Sequence, residues 1–418
     1  MPPPEPIAEL AGTAKRGSGA PTEFELDTVA GWVWVCDSNG AFQLLEPFQA
    51  VGGLIEVAGW CEPWSHDDTP RRWLAASDGP WLVTASKAGV RAFCLLPLAS
   101  HAGQLEDYLS DGWRCPAGRA VVGPPVIAAP PPNTSGANTP GRAAERWAYW
   151  LTHSNDGGLS LHGSRLSLTD QASGGLGEWP LEAKAKASSV GLASVRDDTG
   201  TRLVLVAGHT VTVFPPPQPG ERLGGALAAT AGVELDIGDG FARTPRLVVL
   251  PAADPGQRTV AVGMTGGDAS GEFLRVILPP TGGIRLGGVT GAGHPVGAAA
   301  LADGPAWVYL SRTALGRVNT LDQTATATDL QRTDAFDRVR VAGRVVALSG
   351  LSDTSRPVLR VYDLLSRRTF HWDDGDRREQ FPLPAILGPY LFTADRTAGG
   401  AVVLHRHPLT PSPPGGRS

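Results

Sequence analysis

The protein has 418 residues, of which 53 are glycine, 37 are proline and only 18% are charged. Glycine and proline are far more common than in average proteins, and both disfavour helix interiors, which argues against a mainly helical protein. The 42% hydrophobic content is enough to fill one or two cores, which argues against wholesale disorder. The net charge of −5 comes without a long basic run, so the sequence lacks the signature of a nucleic-acid-binding protein.

The two ends of the chain differ in composition from the rest. Residues 1 to 22 are rich in proline and small residues and are predicted to be disordered, as are residues 409 to 418. The N-terminus resembles no signal peptide, and no window holds the ~18 to 20 apolar residues that span a bilayer. We therefore expect a cytoplasmic protein with no membrane partner. Four cysteines without zinc-ligand spacing are expected to be thiols, mostly buried, and not two disulfides: Cys36, Cys61, Cys94 and Cys115.

Pairs of β-forming runs separated by a turn recur along the whole chain. The first pair is WVWV at 32 to 35 and AFQLLE at 41 to 46, joined by a turn that contains Asn39-Gly40, a strong hairpin signal. The other hairpins are predicted at 81 to 96, 146 to 163, 202 to 214, 259 to 278, 306 to 321, 344 to 364 and 389 to 407. A period of about 50 residues built from strands and turns is typical of a β-propeller, in which each repeat is one four-stranded blade.

The residues around the hairpins support four strands in each repeat. Proline-rich and small-residue runs precede several hairpins and suit a crowded inner strand, as at 124 to 129 and 381 to 388. Alternating polar runs follow the hairpins and suit an exposed outer strand, as at 178 to 182 and 369 to 374. Residues 23 to 408 are therefore predicted to form a single all-β propeller of seven or eight four-stranded blades. The alternative, a pair of β-sandwich domains, explains the even recurrence less well.

The ring is predicted to close by pairing of the N- and C-terminal segments. No outer strand follows the last hairpin, whereas FELDT at 24 to 28 has the pattern of an outer strand. A strand borrowed from the other end of the chain would leave no open sheet edge between the first and last blades. One short helix is predicted within residues 98 to 112, where apolar residues recur at roughly helical spacing.

Three short motifs are interpreted as structural. Residues Ser154 to Ser160 fit the S-x-D-x-G-x-[ST] core of the Asp-box of sialidase-like propellers, in which the aspartate folds a turn between two strands. The Trp372-Asp373 dipeptide does not recur in other repeats, so the chain is no ordinary WD40 protein by motif. His405 and His407 share one face of a strand by period 2, and we expect them to face solvent and not to bind a metal.

The most polar and aromatic loop of the sequence is predicted to be an interaction surface. Tryptophan contributes large buried area at protein interfaces, and acidic residues orient a partner. A histidine beside two aspartates also suits a metal ligand or a general base, while a plain surface loop remains the simplest interpretation. The candidate binding residues are Trp60, Trp64, His66, Asp67 and Asp68.

No motif of a known catalytic type occurs in the sequence. It contains no phosphate-binding loop, no nucleophile elbow and no zinc-binding helix motif, so we assign no catalytic residue, metal or cofactor. The leading hypothesis is a non-catalytic propeller scaffold or adaptor that binds other proteins. The alternative is a propeller enzyme or small-molecule binder of the hydrolase, lyase or dehydrogenase type that uses the central funnel.

The predicted blades lack the WD, kelch and NHL signatures and lie in an arginine-rich chain. In this general form, over its whole length, the chain resembles the stand-alone β-propeller partners of bacterial conflict systems that contain a MoxR-type ATPase and a von Willebrand A protein. The resemblance implies an adaptor in a bacterial defence complex. It further implies an AAA+ ATPase or a von Willebrand A protein as partner, and it carries over no catalytic residues.

Overall fold

The structure, a computed structural model, describes the strands and their short connections. The described residues are 5–10, 24–29, 31–37, 41–46, 55–61, 74–86, 89–95, 113–129, 145–167, 177–184, 190–197, 200–208, 210–217, 232–234, 246–250, 258–265, 271–278, 285–289, 297–300, 306–310, 314–319, 325–329, 335–342, 345–352, 354–363, 368–373, 381–396 and 402–409. All regular elements among them are β-strands, which confirms the all-β prediction. No helix in these ranges is long and apolar enough to cross a membrane.

The chain divides into two compact units. Unit 1 comprises residues 1–73, 95–105 and 340–418, and unit 2 comprises residues 74–94 and 106–339. The strands of unit 1 are β1 (Glu5–Leu10), β2 (Phe24–Val29), β3 (Trp32–Asp37), β4 (Ala41–Glu46), β5 (Ile55–Cys61), β26 (Ala335–Ala342, in unit 1 from Arg340 onward), β27 (Val345–Leu351), β28 (Pro357–Asp363), β29 (Arg368–Asp373), β30 (Ala385–Leu387), β31 (Tyr390–Arg396) and β32 (Val402–Pro408).

Unit 2 carries the strands between these two groups. They are β6 (Leu74–Asp78), β7 (Trp81–Ser86), β8 (Gly89–Cys94), β9 (Trp113–Arg114), β10 (Arg119–Ala128), β11 (Arg146–Ser154), β12 (Gly158–Leu166), β13 (Gly177–Lys184), β14 (Val190–Asp197), β15 (Gly200–Ala207), β16 (Thr210–Phe214), β17 (Gly232–Glu234), β18 (Arg246–Leu250), β19 (Arg258–Thr265), β20 (Gly271–Leu278), β21 (Arg285–Val289), β22 (Gly297–Ala300), β23 (Ala306–Leu310), β24 (Ala314–Asn319) and β25 (Ala325–Asp329).

The described strands form four-stranded sheets in which each strand lies beside its neighbour in the chain. Unit 2 has the sheets β6–β9, β10–β13, β14–β17, β18–β21 and β22–β25, and unit 1 has the sheets β2–β5 and β26–β29. The remaining sheet of unit 1 has the order β1-β32-β31-β30. The proline-rich and small-residue runs fall in or beside first strands such as β10 and β30, and the polar runs fall in fourth strands such as β13 and β29, as the sequence predicts.

The strand that joins the last sheet is not the one expected from the sequence. FELDT at 24 to 28 lies in β2, which pairs with β3 in the first sheet. The strand that pairs with β32 is β1, within the segment of residues 1 to 22 that the sequence predicts to be disordered. The sequence pattern favoured FELDT because it alternates regularly, whereas β1 contains Pro6 and a register shift between Pro6 and Ala8.

Two other expectations concern residues that are only partly described. At the C-terminal end, Leu409 is buried and its backbone N–H donates to the carbonyl oxygen of Pro389 at 2.8 Å, while residues 410 to 418 lie outside the described residues. The helix predicted within residues 98 to 112 also lies outside them. The disordered tail and the helix therefore stay predictions.

The core of unit 2 lies between the faces of neighbouring sheets. One cluster joins sheet β10–β13 to sheet β14–β17 and includes Tyr149, Leu161, Trp179, Leu203 and Phe214, all at most 3% exposed. A second cluster joins sheet β6–β9 to sheet β10–β13. Alternate residues of a strand point to opposite faces, so a sheet buried on both faces needs apolar residues at nearly every position. The strand patterns WLVTAS in β7 and RWAYWLT in β11 meet this requirement.

The guanidinium group of Arg340 forms hydrogen bonds with two separate segments of unit 1. Its Nη1 donates to the carbonyl oxygen of Leu26 on β2, to that of Pro384 at 3.1 Å and to that of Leu383 at 3.3 Å, just before β30. A charged donor shared among carbonyl oxygens forms stronger hydrogen bonds than a neutral one.

We expect the variant Arg340→Met to be less stable than the wild type. Methionine fills similar volume but donates no hydrogen bond, so three partly buried carbonyl oxygens lose this donor and the free energy of unfolding falls by about 2 kcal/mol. Urea denaturation followed by tryptophan fluorescence measures the loss. The matched control is Arg356→Met at an exposed position, which should change stability by less than about 0.5 kcal/mol. Equal stability of the two variants would contradict the role of Arg340.

Candidate functional site

The structure describes only part of the loop that the sequence singles out. Trp60 lies on β5, opposite Phe42 of β4 in the strand register. Trp64, His66, Asp67 and Asp68 lie outside the described residues, so the interaction loop stays a prediction.

The strand register nevertheless fixes the end of the sheet from which this loop starts. Ala41, the first residue of β4, pairs with Cys61, the last residue of β5. The connection from β5 to β6 therefore begins at the end of the sheet where β3 turns into β4. In any antiparallel sheet of this order, the turn between the second and third strands and the connection after the fourth strand lie at the same end.

The same arrangement is described in detail in unit 2. There the connection from β9 to β10 meets the hairpin between β11 and β12, and the backbone N–H of Asn155 donates to the carbonyl oxygen of Gly118 at 3.2 Å. The connection closes on itself through a hydrogen bond from the N–H of Arg119 to the carbonyl oxygen of Pro116, also at 3.2 Å. Gly118 adopts a φ of 80°, which only glycine adopts easily. Backbone hydrogen bonds therefore hold the two turns against each other.

We call the exposed residues of these two turns the turn surface. It consists of Arg114, Pro116, Ala117, Gly118, Asn155 and Asp156. Within it, the hairpin is folded by the interactions that the Asp-box pattern predicts: the N–H of Gly158 donates to Oδ1 of Asp156 at 3.3 Å, and the N–H of Gly157 donates to the carbonyl oxygen of Ser154 at 3.0 Å. The structural interpretation of this motif is confirmed.

A polar cluster extends from the turn surface into the sheet. Nη1 of Arg119 donates to Oε1 of Glu178 at 2.6 Å and to Oγ of Ser160 at 3.3 Å, and these contacts link β10, β12 and β13. Burial by itself raises the pKa of Glu178, but the hydrogen bonds from Arg119 and Ser160 and the charges of Arg119 and His162 together outweigh it, so that the pKa lies below its usual value. Glu178 is therefore an ionised partner of Arg119 at neutral pH.

His162 lies beneath this cluster and is 1% exposed. Its Nε2 forms a 2.9 Å hydrogen bond with Oγ1 of Thr152, and the centre of its ring lies 4.8 Å from the ring centre of Trp113 and 5.9 Å from that of Trp150. Burial lowers the pKa of His162 to about 4, although the nearby carboxylate of Glu178 acts in the opposite direction. A neutral imidazole enclosed by two indoles is suited to hold the sheet together and not to exchange protons with a substrate.

A second Thr–His pair occurs in the last sheet. Nε2 of His407 lies 2.9 Å from Oγ1 of Thr393, and burial lowers the pKa of His407 to about 4, assisted by the neighbouring His405. In both sheets the threonine is on the first strand of the hairpin and the histidine is on the second, two residues beyond the position opposite the threonine. The two Thr–His pairs therefore have the same hydrogen bond at the same offset in the strand register.

The expectation that both histidines of β32 face solvent was wrong for His407, and the side chain of His405 is only 19% exposed. His407 is 4% exposed, because its Nε2 is directed to Thr393 in the sheet interior, while His405 lies 3.5 Å from Oδ2 of Asp395. No group of three or more metal-ligating side chains occurs within the described ranges.

Comparison with solved structures identifies the architecture. No protein-family model matches the chain, and no curated protein matches its sequence. The WD40 domain of Sif2 is similar in structure, with a TM-score of 0.56 and 13% identity over 97% of this chain and 98% of that domain. Sqt1 of Saccharomyces cerevisiae has a TM-score of 0.57 and 12% identity over 94% of this chain and 97% of its own.

A third similar structure is a designed protein, Ika8, with a TM-score of 0.52 and 13% identity over 96% of this chain and 99% of its own. At these identities the similarity shows the fold alone. Together with the antiparallel four-stranded sheets, it shows that the chain has a β-propeller fold.

Proposed function

We propose that the chain is a non-catalytic β-propeller scaffold that binds another protein through the connections at one end of its sheets. The turn surface carries this proposal. Two exposed turns there are held together by backbone hydrogen bonds, so little conformational entropy is lost when a partner contacts them. Loops held on a rigid sheet are the usual place for recognition in such folds.

The proposed ring has eight blades and is closed by β1. Two observations support this: the described strands form eight four-stranded sheets, and β1 pairs with β32 at the other end of the chain. Closure protects the sheet edges that would otherwise promote aggregation and leaves the connecting loops as the accessible features.

The proposed binding loop holds Trp64, His66, Asp67 and Asp68, and Trp60 lies on β5 just before it. It follows the fourth strand of the sheet β2–β5, as the connection 115–118 of the turn surface follows the fourth strand of the sheet β6–β9. Both connections therefore start from equivalent ends of their sheets. An aromatic loop at this position gives a partner large apolar contact area beside acidic groups.

The two described Thr–His pairs support a scaffold more than an enzyme. A catalytic acid or base needs access to substrate and a pKa near the working pH. His162 and His407 are buried, their Nε2 atoms are hydrogen-bonded to threonine, and their pKa values lie at about 4. These histidines serve the stability of their sheets.

The proposed setting is a bacterial defence complex, with an AAA+ ATPase or a von Willebrand A protein as the partner. The general resemblance stated above supports this assignment. The scaffold proposal does not depend on the identity of this partner, because it requires only that some protein binds the loops.

We expect the double variant Trp64→Ala and His66→Ala to lose a partner that the tagged wild-type protein retains when purified from its native host. Loss of the indole removes most of the apolar contact area of the loop, so recovery of the partner should fall at least tenfold, as measured by quantitative mass spectrometry. The matched control removes the same residue types from β29, in the double variant His371→Ala and Trp372→Ala. The control should retain the partner at the wild-type level.

Thermal unfolding shows whether each variant is folded. Undiminished partner recovery with the folded loop variant would overturn the assignment of the loop. A wild-type protein that retains no partner but carries a stoichiometric small molecule would instead favour the enzyme or small-molecule binder.

A further inference from the structure

Two aspartate–glycine pairs lie in exposed hairpin turns of unit 2. Asp78-Gly79 lies at the turn from β6 to β7, and Asp156-Gly157 lies at the turn from β11 to β12, within the turn surface. Both aspartates are exposed, so water reaches their side chains. Gly79 has a φ of 56° and Gly157 a φ of 88°, which glycine adopts easily because it has no Cβ. The same lack of a side chain leaves the backbone nitrogen of each glycine unshielded.

An aspartate followed by glycine is prone to isoaspartate formation, because no side chain on the glycine hinders the reaction. The backbone nitrogen of the glycine attacks Cγ of the aspartate, and the amide hydrogen and the carboxyl hydroxyl leave as one water molecule. The resulting succinimide ring takes up one water molecule and opens at either of its two carbonyl carbons. One opening restores aspartate, and the other gives isoaspartate, whose main chain runs through Cβ and Cγ. The reaction needs water alone and no oxidant, reductant or enzyme.

At Asp156 both reacting groups are engaged in hydrogen bonds. Oδ1 of Asp156 accepts a hydrogen bond from Oγ of Ser154 and, at 3.3 Å, one from the N–H of Gly158. The N–H of Gly157, which loses its proton in the reaction, donates to the carbonyl oxygen of Ser154 at 3.0 Å. Such local hydrogen bonds restrict the rotation of a short polar side chain. Ser154 therefore restrains both the carboxyl group and the nitrogen that would attack it.

At Asp78 the carboxyl group is held from a different sheet. Its Oδ2 accepts a hydrogen bond from Nε of Arg146 on β11 at 2.5 Å. Nη1 of the same guanidinium donates to the carbonyl oxygen of Glu145 at 2.9 Å, which fixes the position of the arginine. The two turns thus contain the same residue pair at exposed positions, but the donors to their carboxylates are different and independent.

We propose that Asp156-Gly157 is a site of spontaneous isoaspartate formation, and that the hydroxyl group of Ser154 slows the reaction by holding the carboxyl group of Asp156. Asp78-Gly79 is a second site of the same kind, and Arg146 restrains it. The modification depends only on the chemistry of the two turns, so it does not require the proposed function.

The modification alters the turn surface when it occurs at Asp156. Isoaspartate adds one carbon atom to the main chain of the hairpin and places the free carboxylate on Cα. The hydrogen bonds that Oδ1 of Asp156 accepts are then lost. These bonds fold the turn in which the N–H of Asn155 reaches the carbonyl oxygen of Gly118. The contact between the two turns therefore weakens as isoaspartate accumulates.

Peptide mapping after storage at neutral pH measures both sites in one sample. Trypsin releases Asp156 in the peptide 147–165 and Asp78 in the peptide 73–87, and each peptide contains a single aspartate. Isoaspartate leaves the mass of a peptide unchanged, shifts its elution and makes it a substrate for isoaspartate methyltransferase, which adds a detectable methyl group. Deamidation of Asn155 changes the mass and is distinguished in this way.

We expect Ser154→Ala to accumulate isoaspartate at Asp156 about tenfold faster than the wild type, which corresponds to the loss of one hydrogen bond to a charged group. The matched control Ser154→Thr keeps the hydroxyl group and should keep the wild-type rate. In both variants the rate at Asp78 should stay unchanged, because Arg146 holds that carboxylate. The rate at Asp78 therefore also shows whether a variant has lost its fold.

The variant Arg146→Met provides the reverse measurement. We expect faster isoaspartate formation at Asp78 and an unchanged rate at Asp156, which trypsin then releases in the peptide 143–165. Equal rates at Asp156 in the wild type and in Ser154→Ala would overturn the proposal. An equal rise at both aspartates in Ser154→Ala would overturn it as well, because general loosening of the fold and not the hydroxyl group would then set the rate.

Discussion

Replacement of Gly177 by alanine should lower the free energy of unfolding by about 3 kcal/mol. A Cβ at this position would lie 2.2 Å from Cη2 and 2.5 Å from Cζ2 of Trp179, far inside contact distance. Trp179 is 3% exposed and packs with Tyr149 in the core between two sheets, so its ring can move away only by displacing packed neighbours. Urea denaturation of the purified variant at neutral pH measures the loss.

A double-mutant cycle shows whether the ring of Trp179 causes the loss of stability in Gly177→Ala. In the background Trp179→Leu, where the indole is absent, the change Gly177→Ala should cost less than about 1 kcal/mol. Gly163 offers a matched second position, because its added Cβ would lie 2.7 Å from the ring of Tyr149 and 3.0 Å from that of Trp179. An undiminished cost of Gly177→Ala without the indole would mean that the backbone, and not the ring, requires glycine.

Acidification from pH 6.5 to pH 4 should remove about 3 kcal/mol of stability through His162 alone. Burial lowers the pKa of His162 in the folded protein to about 4, whereas a histidine in the unfolded chain titrates near 6.5. Between these values the unfolded chain binds a proton that the folded protein does not bind, so stability falls as the pH falls. Well above pH 6.5 neither state is protonated, and this contribution no longer depends on pH.

The variant His162→Gln separates this effect from general acid denaturation. Glutamine does not titrate, so the stability difference between wild type and variant should shrink by about 3 kcal/mol from pH 7 to pH 4, measured by urea denaturation at several pH values. His407→Gln should behave alike, because burial lowers the pKa of His407 to about 4 as well. His371→Gln, at an exposed position, serves as the control for the replacement of a histidine by glutamine as such. Parallel profiles for wild type and His162→Gln would refute the role of His162.

The sequence predicted the strands well because their signals are local. Alternating β-formers place WLVTAS and RWAYWLT in the second strands β7 and β11, and glycine or proline marks the turns beside them. The Asp-box pattern likewise predicted the turn at Asp156, since the hydrogen bonds from Gly157 and Gly158 that fold it join residues within a few positions of each other. Such features need no information from the rest of the chain.

The sequence did not reveal the two Thr–His pairs. Thr152 and His162 are 10 residues apart, whereas Thr393 and His407 are 14 apart, because the turns between their strands differ in length. The common geometry becomes visible only when the strands are aligned by register. An alignment of the hairpins around their turns would have supplied the missing signal.

The sequence by itself determined that this protein is all β, with repeated four-stranded units, since alternation and turn residues act over a few positions. Only the tertiary structure decided that Glu5–Leu10, and not FELDT, completes the last sheet. It also decided that His162 and His407 are buried and neutral. Pairing between the two ends of a chain depends on where the intervening sheets bring those ends. Burial of a polar side chain depends on which neighbouring sheet covers it. The local sequence pattern therefore predicts neither the pairing of the chain ends nor the burial of the histidines.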